Sequence, residues 1–180
     1  MERPAQTDRY SGASIALHWL MLALIVAVYA AIELREFFPK GSGPREDLKS
    51  WHFVLGLSVF GLVWLRILAR LAWPTPHADG PALQRTAARL THFALYLFMI
   101  GMPIAGWLIL SAEGKSIPFF GLELPALTAR NGDVADQIDE IHELGGTIGY
   151  WLIGIHAAAS LLHHYVMRDR VLARMLPVRT

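Results

Sequence analysis

The sequence predicts an all-α integral membrane protein, a bundle of four transmembrane helices. Hydrophobic residues make up 54% of the 180 residues, and they are concentrated in four long blocks rather than spread evenly as in a soluble core. Each block reaches the roughly 18 residues that a helix needs to cross the hydrocarbon layer. The loops between the blocks are rich in the glycine and proline residues of turns.

The four blocks are nearly free of charge. The first runs from Ile15 to Ile32 and the third from Leu90 to Leu110, and neither contains Asp, Glu, Lys or Arg. The second, Trp51 to Ala69, contains only Arg66, and the fourth, Leu144 to Val166, contains no charged residue. At about 1.5 Å per residue, each block spans about 27 Å or more. We therefore predict one domain, residues 1–180, with helices over about residues 14–35, 50–70, 88–111 and 142–167.

The first block could instead be a signal peptide. However, it follows a polar start and precedes Glu33, Arg35 and Glu36 instead of a small-residue cleavage site. We therefore expect it to stay attached. The chain contains no cysteine, which excludes disulfides, cysteine-ligated iron–sulfur clusters and covalently attached haem.

Four spans place both termini on one side of the membrane, and basic residues near the spans predict which side. Ten basic residues lie in the N-terminal segment, the second loop with its flanks and the C-terminal tail: Arg3, Arg9, Arg66, Arg70, Arg85, Arg89, Arg168, Arg170, Arg174 and Arg179. Six lie in the first and third loops: Arg35, Lys40, Arg45, Lys49, Lys115 and Arg130. We therefore predict that both termini are cytoplasmic.

Histidines recur along one face of the fourth helix. His142 and His156 are 14 residues apart, so they differ by about 40° in direction, and His163 follows within about 20° of His156. An ionisable residue inside a membrane is costly without a partner and marks a functional site. One such histidine would more often hydrogen-bond to a neighbouring helix, but several on one stripe indicate a cofactor site.

Histidines of the other helices lie at matching depths. The antiparallel order places His52 level with His142, and it places His18 and His92 roughly level with His156. Opposed imidazoles at two depths suit two metal centres, one above the other. Zinc usually requires four ligands, often thiolate or carboxylate, whereas haem iron needs only two axial ligands. Bis-histidine ligation leaves no open position on the iron, and it therefore favours electron transfer.

Glycines near these histidines have two interpretations. Gly145, Gly146 and Gly149 share the face of His142, and Gly56 lies one turn after His52. Together with the histidines they suggest space for a flat macrocycle. Close helix packing explains any single one of them equally well.

Five segments resemble the bacterial cytochrome b561 family of dihaem membrane proteins, and in particular its superoxide oxidases. The segments are IALHWL, ELREFFP, RLAWPTP, THFALYLF and GYWLIGIHAAASLLHHY. The resemblance covers nearly the whole chain and implies two non-covalent b haems in a bacterial inner membrane. It also implies that His18 and His156 ligate the inner haem iron and that His52 and His142 ligate the outer one. His92 competes with His18, or it has a role near the quinone.

The activity implied by the resemblance is oxidation of superoxide on the periplasmic side, with electrons passed to ubiquinone. Basic residues near the outer haem would attract the anion, and the candidates are Lys40, Arg45, Lys49 and Lys115. Solvated loop charges or partners of the haem propionates are equally good interpretations of these four residues. The outer loops are acidic overall, which opposes attraction of an anion unless the cations cluster above the haem. Candidates for quinone binding or proton delivery are His163, His164, Arg66, Arg70 and His92, although snorkelling to headgroups also explains the two arginines.

Two other functions are compatible with the sequence. The first is an electron-carrier subunit that passes electrons between a redox protein partner and quinone. The second is a haem-free membrane protein whose histidines are structural or bind a soft metal. In every case the lipid bilayer is the surrounding medium, and we expect no nucleic-acid partner.

Overall fold

The computed structural model describes residues 9–76 and 80–177; Arg3 and Arg179 of the topology count lie outside them. Helix α1 covers Gly12–Leu34, α2 covers Gly43–Ala72, α3 covers Ala82–Glu113 and α4 covers Gly132–Tyr165. Short 3₁₀ turns follow at Arg35–Phe37 and Ala173–Met175. All four α-helices are long and apolar enough to cross a membrane, which confirms the predicted fold class.

Three of the helices begin earlier than hydropathy predicts. Helix α4 starts at Gly132 instead of near residue 142, because the Asn131 side chain caps it by accepting a hydrogen bond from the Val134 N–H at 3.3 Å. Helix α2 starts at Gly43, with a proline in its first turn, and α3 starts at Ala82. Hydropathy marks only the apolar part of each helix, and these three helices extend beyond it at their N-terminal ends.

The third loop adds a small hairpin to the helical fold. Strand β1, Pro118–Phe119, pairs antiparallel with β2, Leu122–Glu123. Both turn residues between them, Phe120 and Gly121, have positive φ angles of 46° and 81°. Ile117, just before β1, is buried against Leu57 and Leu110, and it fastens the loop to α2 and α3.

The helices pack in chain order, α1 on α2, α2 on α3 and α3 on α4. Among the described elements, α4 makes its extensive backbone contacts with α3 and few with α1 or α2. We call the end where α1 begins and α4 ends the inner end, after the predicted topology, and the opposite end the outer end.

A small apolar core fills the middle of the bundle. We call Met21, Val59, Val63 and Met99 the central cluster; all four side chains are buried. On the outward faces, by contrast, large apolar side chains are exposed, such as Leu97 at 62% and Trp151 at 72%. An apolar exterior of this extent is what a lipid environment requires.

Candidate cofactor sites

The outer site forms where His52 of α2 faces His142 of α4. Their ring centroids are 6.2 Å apart and the rings are inclined at 81°. Two imidazoles that bind one metal from opposite sides, with metal–nitrogen bonds of about 2.0 Å, have centroids about 6 Å apart. The His52 Nδ1 atom lies 3.1 Å from the Val28 carbonyl oxygen. That contact leaves Nε2 available and is usual for metal-ligating histidines.

The inner site brings three imidazoles together. The ring centroids of His18 and His156 are 6.3 Å apart, and those of His92 and His156 are 5.6 Å apart. All three histidines are partly buried. The distance from His18 to His156 thus nearly equals the distance at the outer site, whereas His92 lies closer.

The two sites share α4 and are separated by the central cluster. His142 and His156 are 14 residues apart on one continuous helix, a rise of about 21 Å. Along α1, Met21 lies between His18 and Val28, whose carbonyl contacts the outer site. The sites therefore lie one above the other with apolar side chains between them.

A cavity of about 620 Å³ adjoins the outer site and has both of its histidines in the lining. Gly56 and Gly146 also line it, and a Cβ atom added at either would meet nothing within 4 Å. These two glycines leave space for a flat ring.

The other two glycines serve helix packing. A Cβ atom at Gly145 would lie 2.5 Å from the Met102 sulfur, and one at Gly149 would lie 2.2 Å from the Tyr29 hydroxyl oxygen. Both distances are shorter than van der Waals contact, so only glycine fits without rearrangement. Close helix packing therefore explains Gly145 and Gly149, whereas space for a flat macrocycle beside Gly56 and Gly146 stays a prediction.

Carboxylates dominate the charged lining of this cavity. The acidic residues are Glu33, Glu36, Glu113, Asp136, Asp139 and Glu143, and the basic residues are Arg35 and Lys49. The outer site therefore lies in a predominantly negative field.

The structure separates the four candidate steering cations. Lys115 forms an ion pair with Glu113 at 2.9 Å, and Arg45 forms one with Glu36 at 2.8 Å. Lys49 lines the cavity with its Nζ 5.8 Å from the centroid of a phenylalanine ring. Lys40 is exposed. Lys49 is thus the one of the four that lies in the cavity wall.

At the inner site, Arg66 lies within the bundle. Its Nε atom donates to the Tyr96 hydroxyl at 3.3 Å, and its Nη1 atom is buried without a hydrogen-bond partner among the described residues. The snorkelling interpretation is therefore wrong for Arg66. Arg70, one turn further along α2, is partly buried.

Below the inner site, His163 pairs with an acid that sequence reasoning missed. Its Nδ1 atom hydrogen-bonds to the Asp169 carboxylate, and the other carboxylate oxygen accepts from the Val171 N–H at 3.0 Å. Burial alone raises the pKa of Asp169, but the hydrogen bonds from Val171 and His163 outweigh it and hold the pKa below its usual range. The Nδ1 atom of the adjacent His164 is buried with no hydrogen-bond partner in the described part of the chain.

Two tyrosines of the outer half were also missed. The Tyr150 hydroxyl donates to Glu33 at 2.7 Å, the Tyr29 hydroxyl donates to the Gly146 carbonyl at 2.7 Å, and the rings are 4.3 Å apart. They join α1 to α4 beside the outer cavity. At the inner end, the Trp19 Nε1 atom donates to the Met175 carbonyl at 2.8 Å.

Comparison with known proteins gives one consistent family. The family model described as "Prokaryotic cytochrome b561" matches residues 9–178. "Probable superoxide oxidase CybB" of Yersinia pestis is 38% identical over 175 residues, which cover 94% of this chain and 96% of the relative. "Cytochrome b561 homolog 1" of Escherichia coli (strain K12) is 36% identical over 174 residues, which cover 96% and 99%. "Cytochrome b562" of Cereibacter sphaeroides is 28% identical over 183 residues, which cover 97% and 99%.

Proposed function

This chain belongs to the prokaryotic cytochrome b561 family of the bacterial inner membrane, and on that basis we propose that it oxidises superoxide and reduces ubiquinone. The family implies a membrane electron carrier with haem b. Each superoxide would give up one electron at the outer site and leave as oxygen. At the inner site, two electrons and two protons would convert one ubiquinone to ubiquinol.

Four histidines would hold the iron atoms of two haems, His52 with His142 and His18 with His156. Haem b supplies reversible one-electron transfer when bound. The observation that carries the proposal is the near-equal spacing of the two imidazole pairs, 6.2 and 6.3 Å. Each distance suits one iron between the two rings. His92, at 5.6 Å from His156, would instead lie beside the inner haem and contribute to the quinone site.

The outer end offers mixed support for superoxide. The similarity to a probable superoxide oxidase of Yersinia pestis favours it, and outer-sphere electron transfer needs no open position on the iron. The carboxylates of the cavity oppose an anionic donor. Lys49, which lines the cavity, would provide the local positive charge along the approach. Arg35, which forms an ion pair with Glu36 at 3.0 Å, and Lys40, Arg45 and Lys115 would contribute less.

The same acidic lining favours a second candidate function. In that case the chain is an electron-carrier subunit that takes electrons from a redox protein partner with a basic surface, because opposite charges speed such encounters. The haem sites and the quinone site are common to both functions. Only the electron donor differs.

Proton delivery to the quinone would take place at the inner end. Histidine suits proton transfer because its ordinary pKa is about 6.5, and the Asp169 carboxylate orients the His163 ring through Nδ1. We assign the relay to His163 and Asp169. His164 and Arg70 would lie beside it.

A superoxide pulse tests the electron donor. Oxidised protein is mixed anaerobically with superoxide while the absorption band of reduced haem is followed, with and without ubiquinone. We expect rapid haem reduction and then reoxidation that depends on quinone, both abolished by prior addition of superoxide dismutase. Lys49→Gln should slow the reduction, and the matched change Lys115→Gln should not. A b-haem spectrum that superoxide leaves oxidised would overturn this donor and support the protein partner.

Asp169→Asn is expected to slow quinone reduction. The change keeps the size of the side chain and removes the charge that orients His163, so reoxidation of pre-reduced haem by ubiquinone should become about tenfold slower at neutral pH. Haem reduction from the outer side should keep its rate. Stopped-flow absorbance measures both steps, and Asp47→Asn, an exposed acid at the outer end of α2, is the control. Equal reoxidation rates in wild type and Asp169→Asn would show that Asp169 is not part of the proton relay.

The same variant should show a pH-dependent loss of stability. Because the pKa of Asp169 is held below its usual range, the stability contributed by its carboxylate is fully present above a pH of about 4. It is lost as the pH falls through the lowered pKa. The difference in thermal midpoint between wild type and Asp169→Asn should therefore be constant near neutrality and should shrink in acid.

A further inference from the structure

Arg66 places a permanent positive charge inside the bundle. A guanidinium stays protonated in proteins, and this one belongs to the apolar part of α2. Its Nε atom lies 3.3 Å from the hydroxyl of Tyr96, one turn after His92 on α3, and it is within electrostatic range of His18 and His156. The charge therefore acts on the inner site.

The described polypeptide does not neutralise this charge. Arg66 donates from Nε to the neutral hydroxyl of Tyr96, its Nη1 atom is buried without a partner, and no carboxylate of residues 9–76 or 80–177 forms an ion pair with it. An unpaired charge inside a membrane protein is costly. The position of Arg66 thus indicates an anionic partner that the polypeptide itself does not supply.

The carboxylates of a haem are the anions closest at hand. In the proposed function the inner haem lies between His18 and His156, beside Arg66, and a guanidinium binds a carboxylate through two parallel hydrogen bonds. The buried Nη1 atom has the free donors for such a bond.

The two sites differ in charge. Six carboxylates and two basic residues line the cavity at the outer site, whereas the inner site has Arg66 within electrostatic reach. A nearby positive charge stabilises the reduced state of an iron, because reduction lowers the positive charge of the iron. A nearby negative charge has the opposite effect. The polypeptide therefore favours the electron at the inner site.

We propose that Arg66 is a positioning residue of the inner haem, which pairs with a haem carboxylate and raises the midpoint potential of that haem above the outer one. The direction of electron flow would then follow from the fixed charges of the chain, outer site to inner site. The inference rests on the two proposed haem sites, but it does not depend on superoxide as the donor.

The size of the effect follows from Coulomb's law. A unit charge roughly 12 Å from the iron, at an effective dielectric constant of about 20, changes the equilibrium constant for reduction by about tenfold. A tenfold change corresponds to about 59 mV for a one-electron couple. A shift of this size is readily measured.

The test is a spectroelectrochemical titration of purified holoprotein. Wild type, Arg66→Gln, Arg66→Lys and the control Arg89→Gln are compared; Arg89 is an exposed arginine near the inner end of α3. The His52→Ala protein should contain only the inner haem, so its titration curve identifies which of the two midpoint potentials belongs to that haem. We expect Arg66→Gln to lower the inner midpoint by about 59 mV and to lower the outer one by clearly less, because the interaction falls with distance. Arg66→Lys should restore most of the loss, and Arg89→Gln should have no effect.

Each contrary result has a separate meaning. An inner midpoint that is the same in wild type, Arg66→Gln and Arg66→Lys would overturn the role of Arg66. An equal fall of the inner midpoint in Arg89→Gln would also overturn this role, because the effect would then come from the net charge of the whole protein. If Arg66→Gln loses the inner haem, the Arg66→Lys variant decides. An inner haem that stays bound in Arg66→Lys with the wild-type midpoint supports the charge role. A lowered inner midpoint in Arg66→Lys overturns it. Absence of haem from the wild type would instead refute the proposed function.

Discussion

His156→Ala is expected to remove the inner haem and retain the outer one. The ring of His156 lies 6.3 Å from that of His18, so the alanine variant keeps one ligand of the inner pair and both ligands of the outer pair. The haem content per chain, measured from the pyridine haemochrome spectrum, should fall from two to one. Reoxidation by quinone should fall at least 100-fold, because the path to the inner end is broken.

The converse variant, His142→Ala, should lose the outer haem, and the remaining haem should still be reoxidised by quinone. His164→Ala, eight residues further along α4 than His156, is the matched control and should keep both haems. His18→Ala and His92→Ala distinguish the two candidate partners of His156: the first should lose a haem and the second should not. Retention of two haems by His142→Ala or by His156→Ala would contradict the assignment.

Gly146→Leu is expected to exclude the outer haem. A Cβ atom at Gly146 would meet nothing within 4 Å, and Gly146 lines the same cavity as His142. We therefore expect a leucine at this position to take up the proposed space for the macrocycle. The haem content should fall from two to one, with the spectrum of the inner haem intact. The preserved inner spectrum also shows that the variant folds.

Gly154→Leu is the matched control for this change. Gly154 lies on the same helix, also has nothing within 4 Å of an added Cβ atom, and is exposed on the outside of the bundle. It should retain both haems. If Gly146→Leu retains two haems, the macrocycle of the outer haem does not lie beside Gly146.

The sequence determines the four spans well and their ends poorly. Long apolar blocks are the physical requirement for crossing a bilayer, so they can be recognised without a structure. The start of α4 is instead marked by one hydrogen bond that the Asn131 side chain accepts from the Val134 N–H. The charged turns that follow, with Asp133 and Asp136, resemble a solvated loop. The part of a helix that extends beyond the membrane is polar, so hydropathy does not distinguish it from a loop.

The depth of each histidine could also be read from the sequence, because rise per residue and chain direction fix it. Other features of the sites depend on how each helix is rotated. Gly146 and Gly149 are three residues apart on one helix, yet one borders open space and the other meets Tyr29 and Phe98. Whether Arg66 turned inward or toward the headgroups was equally undetermined. Asp169 reaches His163 only because the chain turns back at Arg168, whose φ angle is 55°.

The central cluster has a consequence for energy conservation. Met21, Val59, Val63 and Met99 have no group that can carry a proton, whereas electrons would pass between the two proposed haems on either side of them. Charge would therefore cross this layer without protons, and the protons for quinone would be taken from the inner compartment. Each electron moved inward works against a membrane potential that is negative inside, at about 2.3 kcal/mol per 100 mV. Turnover would thus be electrogenic, and part of the free energy of the donor would be stored as proton-motive force.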